Sequence, residues 1–149
     1  MIIDFLDTIT TIKKLYTVSL EPVCKQYDLT RMELDILLFL ANNPQYDSAK
    51  DIIERRKLTK SHVSTSIKSL TKNNYLKPVY LPNNKKTVHL KLLNSADEII
   101  KAGQQAQKIF FETILKDFSK DEKQTIINAF SKIQRNAQQK LKEDYLYES

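Results

Sequence analysis

Residues 60 to 72 read KSHVSTSIKSLTK, a run of short hydroxyls and lysines without one acid. On a helical wheel Val63, Ile67 and Leu70 gather on one side and must pack inward. Ser61, Thr65, Lys68 and Lys72 fall opposite, flanked by His62 and Ser64. Short side chains let a helix approach base edges in the major groove of a duplex. Ser and Thr donate or accept there, and Lys binds guanine or phosphate. Lys60 stands at the N-terminal end, where helix amides and a cation can share one phosphate. Further on, Lys85 and Lys86 follow an Asn pair, and a basic hairpin there would reach the adjacent minor groove or its phosphates. The candidate DNA contacts are therefore Lys60, Ser61, His62, Ser64, Thr65, Lys68, Lys72, Lys85 and Lys86.

The wider charge distribution supports this reading. From Arg55 to Ala96 there is no Asp or Glu, against ten Lys/Arg. Residues 48 to 92 hold eleven bases and two acids, Asp51 and Glu54, whereas the rest of the chain is slightly acidic within a net charge of +6. A basic stretch concentrated in this way points to a polyanion partner.

The flanking patterns predict a mainly α fold around a helix-turn-helix. Apolar residues at Ile2, Phe5, Leu6, Ile9, Ile12, Tyr16, Leu20, Val23 and Tyr27 fit one helix face, with Pro22 kinking the helix or starting a second piece. Thr30 with Glu33 forms a capping box ahead of ELDILLFLA, a helix apolar nearly all round and hence central. Ser48 with Asp51 opens a short helix with Ile52 and Ile53 inward, and Thr59 caps the next after only a few residues. Asn73-Asn74 ends that helix with a left-handed cap. YLKPVYLP and KKTVHLKLL then read as a hairpin turning at Asn83-Asn84 with positive φ, with Pro78 and Pro82 restricting the first strand to an edge. Ser95 to Glu98 caps a helix with Ile99, Ile100, Ala106, Ile109, Phe110 and Ile114 inward. Ser119 to Glu122 caps the last, whose Ile126, Phe130, Ile133, Ala137, Leu141 and Tyr145 run close to coiled-coil spacing over roughly 40 Å. The expectation is one domain over residues 1–149: a winged helix-turn-helix lobe at 29–94 and dimerisation helices at 1–28 and 95–149, with Tyr145 and Tyr147 either covering the dimer seam or disordered.

The order of these elements resembles the MarR family of winged-helix regulators over nearly the whole chain. The most specific part is Leu58 to Leu70, LTKSHVSTSIKSL, similar to the family's L-S-x-S-x-V-S-R-x-x-x-x-L. The resemblance implies a homodimer on a pseudo-palindromic double-stranded operator. It further implies a transcriptional repressor released by a small-molecule effector, a metal or an oxidant. The chain departs from the family at Thr65, where Arg is usual, at Asn74, where Gly is usual, and at the wing tip, which lacks the usual Asp and Arg. A lysine there binds phosphate without the fork geometry of arginine.

Other chemistries find less support. The single glycine, Gly103, excludes glycine-rich phosphate loops and the hydrolase nucleophile elbow. No Ser-His-Asp, Cys-His or paired-carboxylate set can be assembled, so neither an enzyme nor a cofactor is expected. Cys24 reads as a buried structural thiol rather than a redox sensor, and as a lone cysteine it forms no internal disulfide. His62 and His89, the only histidines, sit in the DNA-binding part, His89 on the outward face of its strand, and no metal site is expected. Tyr16, Tyr27, Phe39 and Tyr46 are effector-pocket candidates but read individually as core aromatics. Without a leader or an apolar run near ~20 residues, a cytoplasmic protein with no membrane partner is expected. The alternatives are a winged-helix protein-interaction module that binds no DNA, and an RNA-binding domain, for which stacking aromatics are missing from the recognition stripe.

Overall fold

The computed structural model describes residues 2–147, with side chains over 4–145. The side chains of Ile2 and Tyr147, given roles above, lie outside the described residues. The elements are α1 (Ile2–Tyr27), α2 (Arg31–Asn42), α3 (Ala49–Arg56), α4 (Lys60–Lys72), β1 (Leu76–Leu81), β2 (Asn84–Leu92), a short 3-10 turn (Asn94–Ala96), α5 (Asp97–Ile114) and α6 (Lys120–Tyr147). Two compact units result, Met1–Phe111 and Glu112–Ser149, so α1 and most of α5 share a unit with the winged helix.

In the first unit α2 is the centre. Leu34 and Ile36 to Leu40 are all buried, and each such side chain contributes roughly 1.5–3 kcal/mol by leaving water. Leu20 and Val23 of α1, Ile52 of α3, Val63, Ile67 and Leu70 of α4, Leu76 and Leu90 of the hairpin, and Ile99 and Ile100 of α5 complete the same core. Pro22 lies inside an uninterrupted α1 and starts no second helix. The chain's one glycine has a packing role. A Cβ on Gly103 would lie 2.7 Å from Cδ2 of buried Leu38, so α5 approaches α2 closely only because that atom is missing. Beside this contact Gln107 donates to the Tyr16 hydroxyl at 2.8 Å, Asn42 donates to Gln107 at 3.0 Å, and Gln104 donates to Asn42 at 3.0 Å, tying α1, α2 and α5 together.

The hairpin is antiparallel, pairing Leu76 with Leu92, Pro78 with Leu90 and Leu81 with Asn84, with an irregularity between Val79 and Leu81. One expectation fails here. Neither Asn83 nor Asn84 has positive φ. Pro82 and Asn83 form the turn, and Asn84 stabilises it by accepting from the Lys86 and Thr87 amides at 3.1 and 3.2 Å. Proline favours the first central position of a turn with negative φ, which removes the need for a left-handed pair. His89 is half-buried, and its Nδ1 lies 2.8 Å from exposed Asp47 Oδ1. Leu90 N–H also donates to Asp47 O at 2.7 Å, which adds a bridge from Ser48 to His89 along the outer edge of β2.

At the start of α5, Ser95 sits in the 3-10 turn and its hydroxyl donates to the Asn74 carbonyl instead of capping the helix. Ile53, Ala106 and Ile114 are only half-buried, and Ile109 is exposed where an inward position was expected. In the second unit the Ser119–Glu122 capping box forms, with the two reciprocal bonds at 3.1 and 2.7 Å. Ile127, Phe130, Ile133 and Leu141 are exposed along α6. No described helix is long and apolar enough to cross a membrane.

Asn74 adopts the left-handed conformation expected of it, φ 60°, and lets Tyr75 N–H return to Leu70 O at 3.0 Å. Asn74→Ala should lower stability by about 1 kcal/mol in urea unfolding, the cost of that conformation for a residue with Cβ and no local polar group. Asn74→Gly should match or exceed the parent.

Candidate nucleic-acid interface

Helices α3 and α4 are joined by three residues. Lys57 takes the left-handed cap (φ 53°, ψ 44°), and its N–H bonds Ile53 O. Leu58 N–H also reaches Ile53 O, at 3.1 Å. Ser48 and Asp51 start α3 by the reciprocal capping expected of them. The α4 N-terminus differs from the other capped helices. Thr59 Oγ1 accepts from His62 N–H at 3.4 Å, but no acid lies in the first turn, whereas α2, α3 and α6 each carry at least one there. The positive end of the α4 dipole and its spare amides are therefore left without an internal anion.

The face of α4 away from the core carries the expected stripe. Lys60, Ser61, His62, Thr65, Lys68 and Lys72 are exposed and Ser64 is half-buried, while Val63, Ser66, Ile67 and Leu70 are buried. No side chain of the stripe is hydrogen-bonded or ion-paired within the described residues. At the wing Lys85 and Lys86 are exposed at the start of β2.

Three contacts at this surface do not follow from the residue pattern. Glu33, 7% exposed, caps α2 through Oε1, which accepts from Thr30 N–H at 3.1 Å, and turns Oε2 to the Ser69 hydroxyl of α4 at 2.9 Å. One carboxylate thus links the start of the central helix α2 to α4. Arg55 stacks over Tyr46, 3.4 Å from the ring centroid, and Arg56 lies 5.0 Å from that of Phe39. Both guanidinium planes are held at the end of α3 by cation–π attraction, adding fixed cations to the basic surface. The capping box betrays Glu33 as an N3 residue, but nothing in the sequence shows its second oxygen reaching α4, 36 positions away.

The four effector-pocket aromatics each make separate contacts. Tyr16 packs edge-on against Phe110 at 5.0 Å and stacks with Arg31 at 4.8 Å, Tyr46 and Phe39 are covered by the α3 arginines, and Tyr27 packs on the core. A cavity of about 410 Å³ lies instead along α1 and the start of α2, lined by Thr17, Glu21, Cys24, Lys25 and Arg31. Cys24 is half-buried there. Burial pushes its thiol above the ordinary value, and the opposing pull of the Arg31 guanidinium does not overcome it. Among the described residues no group of three or more His, Cys, Asp and Glu could hold a metal ion.

A sequence model of the MarR family matches residues 27–81, from the end of α1 through β1. That match spans the winged helix of the chain as far as β1. Solved MarR structures share the fold well beyond that segment. A MarR family transcriptional regulator from Listeria monocytogenes, complexed with a 26mer DNA, superposes with a TM-score of 0.78 at 20% identity, over 89% of this chain and 87% of that one. A MarR protein from Peptoclostridium difficile gives 0.75 at 16% identity, over 93% and 88%. A MarR from Staphylococcus aureus, in complex with salicylate and kanamycin, gives 0.73 at 22%, over 91% of each chain. No curated protein matches the sequence.

Ser69→Ala should leave Glu33 Oε2 without its donor. A decrease of roughly 1.5 kcal/mol is expected in urea unfolding, the low end for a hydrogen bond to a carboxylate because Ser69 is half-buried; Ser69→Thr should retain most of it. For Cys24, a raised thiol pKa keeps the nucleophilic thiolate scarce at neutral pH. Iodoacetamide alkylation should therefore be slow at pH 7 and keep accelerating beyond the pH at which an ordinary thiol levels off. A plateau near neutrality would contradict this.

Proposed function

We propose that the protein is a homodimeric, sequence-specific regulator of transcription, a repressor, that binds duplex DNA through α4 and its wing and is released by a small-molecule effector. The observation that carries the reading is the outer face of α4. It is exposed and free of acids, rich in hydroxyl and lysine groups, and begins at a helix N-terminus with no internal anion. Small hydroxyls permit close approach to base edges, and Lys60, Lys68, Lys72, Lys85 and Lys86 neutralise phosphates. The Listeria relative held on DNA supports the same use of the fold.

Dimerisation is supported by the apolar residues left exposed on the long helices: Phe5, Leu6, Leu15 and Val18 on α1, and Ile127, Phe130, Ile133 and Leu141 on α6. So much exposed apolar surface marks an association site on a chain of this size. A second copy then sets two α4 helices against successive major grooves, ~34 Å apart, which demands a pseudo-palindromic operator. The salicylate held by the Staphylococcus relative supports effector release. In this chain the α1–α2 cavity presents Lys25 to an anionic ligand, beside Glu21 and an Arg31 already paired with Asp35. The proposed setting is the cytoplasm, where DNA and such ligands meet.

Gel-shift titration of the protein's own upstream DNA at 50 and 200 mM salt tests the reading. Six to ten phosphate contacts predict a fall of about 10³–10⁵ in affinity between them, and Lys68→Ala should weaken binding and lower the salt slope by about one. No binding at 50 mM salt, or no salt dependence, would sink the proposal. Truncation after Lys120 should leave a chain that sediments as a monomer; a truncated dimer would remove α6 from the interface.

A further inference from the structure

Beyond its lysines, the wing carries an apolar feature. Tyr80 and Leu81 are 54% and 50% exposed. They are the last two residues of β1, directly before the Pro82-Asn83 turn. The irregularity between Val79 and Leu81 interrupts the pairing at this point and leaves Tyr80 without a paired residue. The hairpin tip thus carries two large exposed apolar side chains. Leu81 and Val79 also line an open cleft of about 500 Å³, with Leu40, Pro44 and Asp47 across from them. The Asn84 side chain is held within the turn, its Oδ1 accepting from the Lys86 and Thr87 amides and its Nδ2 donating to the Thr87 hydroxyl.

The charges on the hairpin itself are all of one sign, and the acid that lines the cleft beside it, Asp47, is bonded to His89. Lys77, Lys85, Lys86 and Lys91 are exposed on the two strands, and the hairpin has no acid. The tip therefore suits an anionic partner that also offers apolar surface. In duplex DNA, phosphates rim the minor groove, and its sugar walls and base-pair edges supply the apolar part. Apolar side chains in such positions wedge between base steps and bend the duplex, favouring steps that unstack easily.

We infer that the wing tip is a specificity element which reads the deformability of the minor groove through Tyr80 and Leu81, with Lys85 and Lys86 holding the flanking phosphates. The inference rests on the DNA-binding reading above and deepens it. The operator should contain, beyond each site read by α4, a flexible pyrimidine–purine step at a position that receives no hydrogen bond from the protein. Preference at that step comes from the energy needed to deform it.

The test is selection by the full-length protein from a pool of duplexes with a randomised 40-base-pair centre, run in parallel with Tyr80→Ser/Leu81→Ser. The parent should enrich half-sites flanked by TA or CA/TG steps, and the double variant should enrich the same half-sites without that flanking preference. On the duplex selected by the parent, anisotropy titration should show the variant about tenfold weaker or more, the value expected when one large apolar side chain is no longer buried. Its salt slope should be unchanged, because every phosphate-binding lysine is retained. Lys85→Ala/Lys86→Ala should instead lower the slope, by about one for each phosphate no longer neutralised. An unaltered melting curve for the serine variant would show that the fold is intact, as expected for residues at least half exposed. If the serine variant keeps both affinity and flanking preference while the parent binds DNA, the wing-tip inference is overturned and the α4 reading stands. If the parent enriches no duplex at all, both fall.

Discussion

The carboxylate of Glu33 joins two requirements that pull against each other. A groove-reading helix must expose one face without acids, yet it must be held firmly enough that its rotation does not drift. Hydrophobic packing through Val63, Ile67 and Leu70 supplies most of the cohesion, but it is non-directional. The directional constraint comes from Glu33, which stands on α2, is nearly fully buried, and accepts from Thr30 on one side and Ser69 on the other. The acid needed to orient α4 is thereby kept inside, off the surface where it would repel phosphate.

The same separation runs through the molecule. The capped helices α2, α3 and α6 close their N-termini with a carboxylate, whereas α4 makes do with one threonine hydroxyl and a long bond. A capping box is a stabilising feature worth having in any helix, so its absence here leaves the dipole for an external anion. The cations are likewise arranged. Arg55 and Arg56 are stacked on aromatic rings at the end of α3, while Lys60, Lys68 and Lys72 extend from α4 without internal partners among the described residues.

Most of the fold is legible in the sequence because local rules dominate it. Thr30/Glu33, Ser48/Asp51 and Ser119/Glu122 are capping signatures three residues apart, and each forms where the sequence places it. The inward and outward faces of α4 follow from the 3.6-residue period alone. The sequence misleads where distant residues intervene. Asp47 pairs with His89 across 42 positions, Ser95 turns to the Asn74 carbonyl across 21, and Pro82 imposes a turn that the Asn pair did not choose. Within the candidate site, residue types and exposure on α4 are readable from the sequence. The Glu33–Ser69 link, the stacked arginines and the apolar wing tip require the packed structure, because none follows from spacing along one element.

Hydroxyl-radical footprinting of the full-length protein on its upstream DNA tests the central claim most directly, since it reports which sugars the protein covers. Two copies of α4 held in a fixed rotation predict two protected segments on each strand, centred about 10 base pairs, or ~34 Å, apart on one face of the duplex. A single protected segment, or even cleavage throughout at low salt, would contradict the account.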